Sequence, residues 1–205
     1  MGIYIFKAEK LYKYLEADDK NPESSKDFGK NVLPAMLSSG ERMFAYTFEG
    51  YWKDVGTIDS LFEANMDLLG DSPTLDLSDK TWRIHSRNPI APPHMAGDEA
   101  VILNSIISLG CDIEGVVENS ILSSNVTVKK GAVVRDSIIM SGAVIGEDSK
   151  VNYSIIDEFA TVGNNATVGV TIDTKDAKIA VLGRNYVVED GGTVNGGQIL
   201  DRVED

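Results

Sequence analysis

The chain has 205 residues and a formal net charge of −13, from 19 Lys and Arg against 32 Asp and Glu, with 42% apolar residues. That size suits one large domain or two small ones with a buried core, and the acidic balance disfavours nucleic-acid binding or docking on anionic lipid. One cysteine, Cys111, excludes an intrachain disulfide and points to a reducing, cytoplasmic compartment, and two histidines argue against a His-based metal cluster.

Met1-Gly2-Ile3-Tyr4-Ile5-Phe6 has no basic n-region and reads as a short strand. Leu11 to Leu15 with its flanking charges suggests an amphipathic helix, and Asp27 to Leu37 a second one. Arg42 to Phe48 reads as a strand. Thr57 to Leu69 is the clearest helix, with Thr57 as its cap and Ile58, Leu61, Phe62, Leu68 and Leu69 on its apolar face. Gly70 ends it. This first part reads as the closing portion of an α/β domain.

Composition shifts sharply near residue 96. The first part holds 12 of 15 aromatics and 6 of 19 glycines; the second holds 3 aromatics, 13 glycines and −9 of the charge. Between them, Arg87-Asn88-Pro89-Ile90-Ala91-Pro92-Pro93-His94 carries three prolines in five residues and favours an extended linker. The expected division is therefore 1–86, a linker 87–96, and 97–205.

The second part repeats. Ile102-Leu103-Asn104-Ser105-Ile106-Ile107, Val117-Glu118-Asn119-Ser120-Ile121-Leu122, Val134-Arg135-Asp136-Ser137-Ile138-Ile139 and Val151-Asn152-Tyr153-Ser154-Ile155-Ile156 share aliphatic-x-x-Ser-Ile-aliphatic, at spacings of 15, 17 and 17 residues. Aliphatic residues recur every five or six positions (Val128, Val134, Ile139, Ile145, Val151, Ile156, Val162, Val168), each set followed by small ones such as Ala132, Ala143, Ser149, Ala160 and Ala166. This is the hexapeptide pattern of a parallel β-helix, in which three short strands make one triangular coil. Coils of this kind wind left-handed, against the usual crossover rule. An antiparallel sandwich is the competing fold, but it gives no reason for a 17-residue period with Ser-Ile in register. After a loop at Asp173-Thr174-Lys175-Asp176, the tail from Val181 to Gly197 reads as a last coil.

The densest polar and aromatic cluster, Glu49-Gly50-Tyr51-Trp52-Lys53-Asp54-Val55-Gly56-Thr57, lies between a strand and a helix, where α/β proteins keep their active residues. Asp54 is a candidate ligand for Mg2+, which takes carboxylates together with substrate phosphates. Pairing with Lys53 or capping the following helix would explain it equally. Trp52 offers a flat wall to a sugar or base. In Lys26-Asp27-Phe28-Gly29-Lys30-Asn31, Asp27 suits either a substrate hydroxyl or a helix N-terminus. This Asp-Phe-Gly is no kinase motif, since no Gly-rich phosphate loop or His-Arg-Asp accompanies it.

Taken together, Met1 to Phe6, Asp27-Phe28-Gly29-Lys30-Asn31-Val32-Leu33-Pro34, Tyr51-Trp52-Lys53-Asp54-Val55-Gly56-Thr57, Glu63-Ala64-Asn65-Met66-Asp67-Leu68-Leu69, Trp82-Arg83-Ile84-His85-Ser86-Arg87-Asn88-Pro89 and the Ser-Ile repeats resemble the bacterial glucose-1-phosphate adenylyltransferases, or ADP-glucose pyrophosphorylases, in the same order. The resemblance implies a nucleotidyltransferase domain of Rossmann-like α/β type followed by a left-handed β-helix. It implies synthesis of ADP-glucose and pyrophosphate from ATP and glucose 1-phosphate for glycogen, with Mg2+ held by two aspartates. By the resemblance, Asp54 is the second metal aspartate and a catalytic residue, and Tyr4, Asp27, Phe28 and Trp52 surround the glucose. It further implies a homotetramer and a sugar-phosphate effector site, for which Arg184 is a candidate against the plainer reading of a solvated surface residue.

The family's Gly-Gly-x-Gly-Thr-Arg-Leu triphosphate loop, its first metal aspartate and the lysine of its Glu-Lys-Pro motif do not occur in the 205 residues. The expectation is a C-terminal part of the enzyme that does not turn over alone. Two other classes compete. A hexapeptide acyltransferase needs a histidine on a coil, whereas His85 and His94 both precede the repeats. A non-catalytic assembly or regulatory module built on the β-helix is the other.

Overall fold

The computed structural model describes residues 2–77, 79–81, 84–86, 89–170 and 176–201. Met1, Trp82-Arg83, the start of the linker at Arg87-Asn88, and the Asp173-Thr174-Lys175 part of the tail loop lie outside the described residues. The chain forms two compact units, one up to Gly50 and one from Tyr51 onward.

The first unit is helical. Helix α1 spans Ala8–Asp19, a π-helical turn spans Phe28–Val32, and helix α2 follows directly over Leu33–Ser38. The widened turn precedes Pro34, which has no N–H and whose ring would crowd the Lys30 carbonyl in a regular α-turn. Asp27 caps this turn, its Oδ1 accepting from the Lys30 N–H at 2.8 Å. Lys26, at φ 59°, sends its ammonium back to the end of α1, where it donates to the carbonyls of Asp18, Asp19 (2.7 Å) and Asn21 (3.2 Å). One dipeptide therefore closes one helix and opens the next. Tyr14, Val32 and Met36 form a small core with Phe6 and Leu15 beside it.

The strands expected at Met1 to Phe6 and Arg42 to Phe48 are absent among the described residues of these segments. A strand exists only through a ladder partner, and neither segment finds one in this unit. Apart from Phe6, which packs beside the small core, their large apolar side chains accordingly keep much of their surface in solvent, with Ile5 100% and Phe44 89% exposed.

The second unit contains helix α3, Ile58–Met66, and a left-handed parallel β-helix. Thr57 and Ser60 form a reciprocal capping box at the start of α3, so its N-terminus is closed by its own sequence. The expected end at Leu69 comes earlier; the chain leaves the helix at Asp67 and turns through Gly70 at φ 93°.

The β-helix has three faces of six short parallel strands each. The first face runs from Met95–Ala96 to Val187–Val188, the second from Val101–Leu103 to Thr193–Val194, and the third from Ile106–Ile107 to Ile199–Leu200. Register along each face follows the repeat: Val117 pairs with Val134 and Val134 with Val151, Leu122 with Ile139 and Ile139 with Ile156. The aliphatic residues of the pattern, from Val128 to Val168, are completely buried in the prism, and the small ones from Ala132 to Ala166 fill its corners. The tail supplies the sixth coil, and the longer connection lies between Gly169 and Ala180.

The Ser-Ile pair has a physical reason. Ser120, Ser137 and Ser154 are fully buried and stacked, each backbone N–H donating to the hydroxyl of the coil before, at 3.1, 3.1 and 3.2 Å. Each hydroxyl down to Ser154 donates to the carbonyl two residues earlier, so the internal ladder leaves no polar atom orphaned. The isoleucine after each serine points out of the prism and the next aliphatic residue points in. Outside, Ile138, Ile155 and Ile179 pack under Phe62 of α3, with Ile58, Leu61 and Met66 alongside. Phe62 meets Tyr153 edge-on at 4.9 Å.

Candidate functional site

Two groups of expected residues lie one in each unit. In the first, Tyr4 and Phe28 stack at 5.9 Å with an interplanar angle of 15°, and Phe6 completes a three-ring group at 5.9 and 6.0 Å. Tyr4 (43%) and Phe28 (36%) both keep substantial exposed area, which gives a flat aromatic surface open to solvent. Asp27 sits beside it. One of its carboxylate oxygens is committed to the Lys30 cap, which makes the helix-start role of Asp27 a fact of the structure.

In the second unit, Tyr51 and Lys53 turn toward α3 while Trp52 and Asp54 are exposed, Trp52 to 51%. The Tyr51 hydroxyl donates to Asp67 Oδ2 at 3.0 Å, and Lys53 Nζ reaches the same oxygen at 3.1 Å and Glu63 Oε2 at 3.0 Å. Glu63 and Asp67 stand four apart on or just past α3, so they present two carboxylates on one side of it. The charges reinforce each other. Hydrogen bonding to Glu63 and then Asp67 raises the Lys53 ammonium above its ordinary value, and Lys53 followed by Tyr51 lowers the Asp67 carboxyl. Burial, then the bond to Asp67, pushes the Tyr51 phenol up.

Lys53 is thereby used by Glu63 and Asp67, and the α3 N-terminus by Thr57 and Ser60. Both plainer explanations for Asp54 are removed: it neither pairs with Lys53 nor caps the helix. Its carboxylate is exposed, and Gly56, having no side chain, leaves the ground beside it bare; a Cβ there would stand 3.5 Å from Asp54 Oδ1. A hard anionic oxygen without a competing partner fits a Mg2+ ligand. It is one ligand and not a shell, since among the described residues no three His, Cys, Asp or Glu side chains cluster for a metal.

Residues 1–71 match the nucleotidyl transferase family model, and residues 93–194 match the GlmU-like C-terminal hexapeptide model. The chain is 55% identical over 133 residues to proteins named glucose-1-phosphate adenylyltransferase from Bacillus cereus (strain ATCC 14579), Bacillus mycoides (strain KBAB4) and Bacillus thuringiensis (strain Al Hakam). Over that stretch the chain is similar to glucose-1-phosphate adenylyltransferases. The matched stretch is 65% of this chain and 35% of each of those relatives, so the chain spans about a third of the length of the curated relatives it matches. The nucleotidyl transferase match ends just after α3.

Other expected residues have plainer places. Arg184 donates to Glu158 at 3.2 Å and lies over the Phe159 ring at 5.6 Å, so a surface role is filled within the β-helix. His85 and His94 are exposed and precede the first coil. No described helix is long and apolar enough to cross a membrane. Glu63 and Asp67 are the site residues that sequence reasoning passed over. They stood in a quoted family stretch without a role, although their four-residue spacing opposite a Lys was the available signal.

Proposed function

We propose that the chain contributes the sugar side and one metal ligand of a glucose-1-phosphate adenylyltransferase site, in the reaction of ATP with glucose 1-phosphate to ADP-glucose and pyrophosphate. The phosphate oxygen of glucose 1-phosphate attacks the α-phosphorus of ATP, and the β,γ-pyrophosphate leaves. Such a transfer needs in-line positioning and charge neutralisation more than covalent work by the protein. In the first unit Tyr4 and Phe28 offer aromatic faces suited to the apolar side of a pyranose, and in the second Trp52 offers a further such face. Asp27 keeps one carboxylate oxygen beyond its helix cap for a sugar hydroxyl. Asp54 is the ligand for Mg2+, which when bound neutralises the phosphate charges. The carrying observation is that Asp54 is left unpartnered beside an exposed Trp52 while Tyr51, Lys53, Thr57 and Ser60 are bonded to other groups.

The triphosphate loop is not among the 205 residues, and we take turnover to require it. The β-helix faces serve an assembly, which we take to be a homotetramer in the cytoplasm with a sugar-phosphate effector. The test is a fusion placing, before this chain, the part of the Bacillus cereus relative that precedes its matching stretch. The fusion should release pyrophosphate from ATP and glucose 1-phosphate, and Asp54→Asn should lower kcat by about 100-fold or more. A folded fusion with no turnover, or one indifferent to Asp54→Asn, would sink the proposal.

A further inference from the structure

The Lys53, Glu63, Asp67 and Tyr51 cluster lies outside the groups assigned to substrate or metal, yet it is the most completely bonded polar cluster on α3. It receives three contacts between 3.0 and 3.1 Å, and all of them join the segment Tyr51 to Lys53 to the helix. That segment has no ladder partner among the described residues, so these contacts are what define its path. Because Tyr51 and Lys53 are held inward, Trp52 and Asp54 are turned outward together.

The helix is itself fixed to the β-helix at two points. Phe62 is buried on Ile138, Ile155 and Tyr153. Beyond its end, in the turn that follows, the Gly70 N–H donates to Asn104 Oδ1 at 2.9 Å. Asn104 then donates to Asn119 (2.8 Å) and Asn119 to Asp136 (2.6 Å), three residues stacked at one corner with φ between 43° and 47°. This polar chain runs in one direction and ends on a carboxylate, so reversing any member breaks it.

We propose that Asp67, with Glu63, is a positioning residue: it holds the Tyr51 to Asp54 segment on α3 and so places Trp52 and Asp54 relative to the β-helix. The inference rests on the roles given to Trp52 and Asp54 above. It assigns α3 the part of a rigid adapter, with the β-helix corner at one end and the outward pair at the other. Any event that shifts the coils under Phe62 or the Asn104 corner is then felt at Trp52.

The test uses the full chain carrying Trp82→Phe, so that Trp52 is its only indole. Asp67→Ala should raise the acrylamide quenching constant of Trp52 toward about twice its starting value, since half of the ring is already exposed and the freed segment exposes the rest. Trp52-sensitised terbium luminescence, a probe of the Asp54 carboxylate, should show affinity about tenfold weaker in the same variant. The circular dichroism and unfolding midpoint of the β-helix should not move. If Asp67→Ala fails to fold, the pair Tyr51→Phe and Lys53→Met reads the same clamp from its other side. Unchanged quenching in a folded variant overturns the proposal. Terbium luminescence that survives Asp54→Asn overturns instead the metal role of Asp54, and the quenching result still decides the clamp.

Discussion

Ser137 is a buried hydroxyl with two bonds: it donates to the Arg135 carbonyl at 2.6 Å and accepts from the Ser154 N–H at 3.2 Å. Removing it leaves a buried backbone N–H without its acceptor, and that asymmetry is what makes such a loss expensive. Ser137→Ala should therefore destabilise the β-helix by about 1–3 kcal/mol, read as a lower urea midpoint at unchanged slope. A change below about 0.3 kcal/mol would mean that water replaces the hydroxyl and that the ladder is not structural. The repeat itself was legible from the letters, because burial in a prism imposes a strict period on the aliphatic positions. The reason for serine was not, since its partners are 15 to 17 residues away and lie in neighbouring coils. The same holds for Asp54. Spacing cannot say whether a carboxylate beside a lysine is paired with it, and the deciding fact is that Glu63 and Asp67 hold that lysine.

At the scale of elements, α1 is tied to the chain beyond α2 through one side chain. Glu41 accepts from the Lys10 ammonium at 2.7 Å and from the Tyr14 hydroxyl at 3.2 Å. The hydrogen bond to Lys10, ahead of the one from Tyr14, lowers the Glu41 carboxyl below its ordinary value of 4.5. The Glu41 bond in turn raises Lys10 above 10.5. A lowered carboxyl stabilises the fold above the unfolded value and loses that contribution as pH falls through the folded one. The raised amine acts in the opposite range, contributing below 10.5 and fading at more alkaline pH. The helical signal at 222 nm should thus decline below about pH 4.5 more steeply in the wild type than in Glu41→Gln. Superimposable acid profiles would refute the tie. Sequence reasoning placed helices at Leu11 to Leu15 and at Asp27 to Leu37, inside α1 and across α2, because amphipathic patterning is local. It failed at Arg42 to Phe48, where alternation promised a strand, because alternation states only which side chains share a face and says nothing of whether a neighbouring strand is present.

For the whole molecule, the two units differ in how they are held. The β-helix stacks twenty-one buried apolar residues in one continuous column, and each coil is paired to its neighbours on three faces. Such a solenoid gains stability from every interface between coils. Among its described residues the first unit buries only Tyr14, Val32 and Met36, and leaves Ile3, Ile5, Phe44 and Tyr46 in solvent. A core that small offsets little of the conformational entropy of some fifty residues. The two parts should therefore unfold separately. Most helical residues belong to the first unit, in α1 and α2, whereas both tryptophans come after Gly50. In a urea titration, ellipticity at 222 nm should begin to fall at lower denaturant than the shift in tryptophan emission, giving two midpoints where a single cooperative domain would give one. Coincident curves would show that the first unit draws its stability from the second. In that case Glu41→Gln and Ser137→Ala, though placed in different units, would each move the common midpoint.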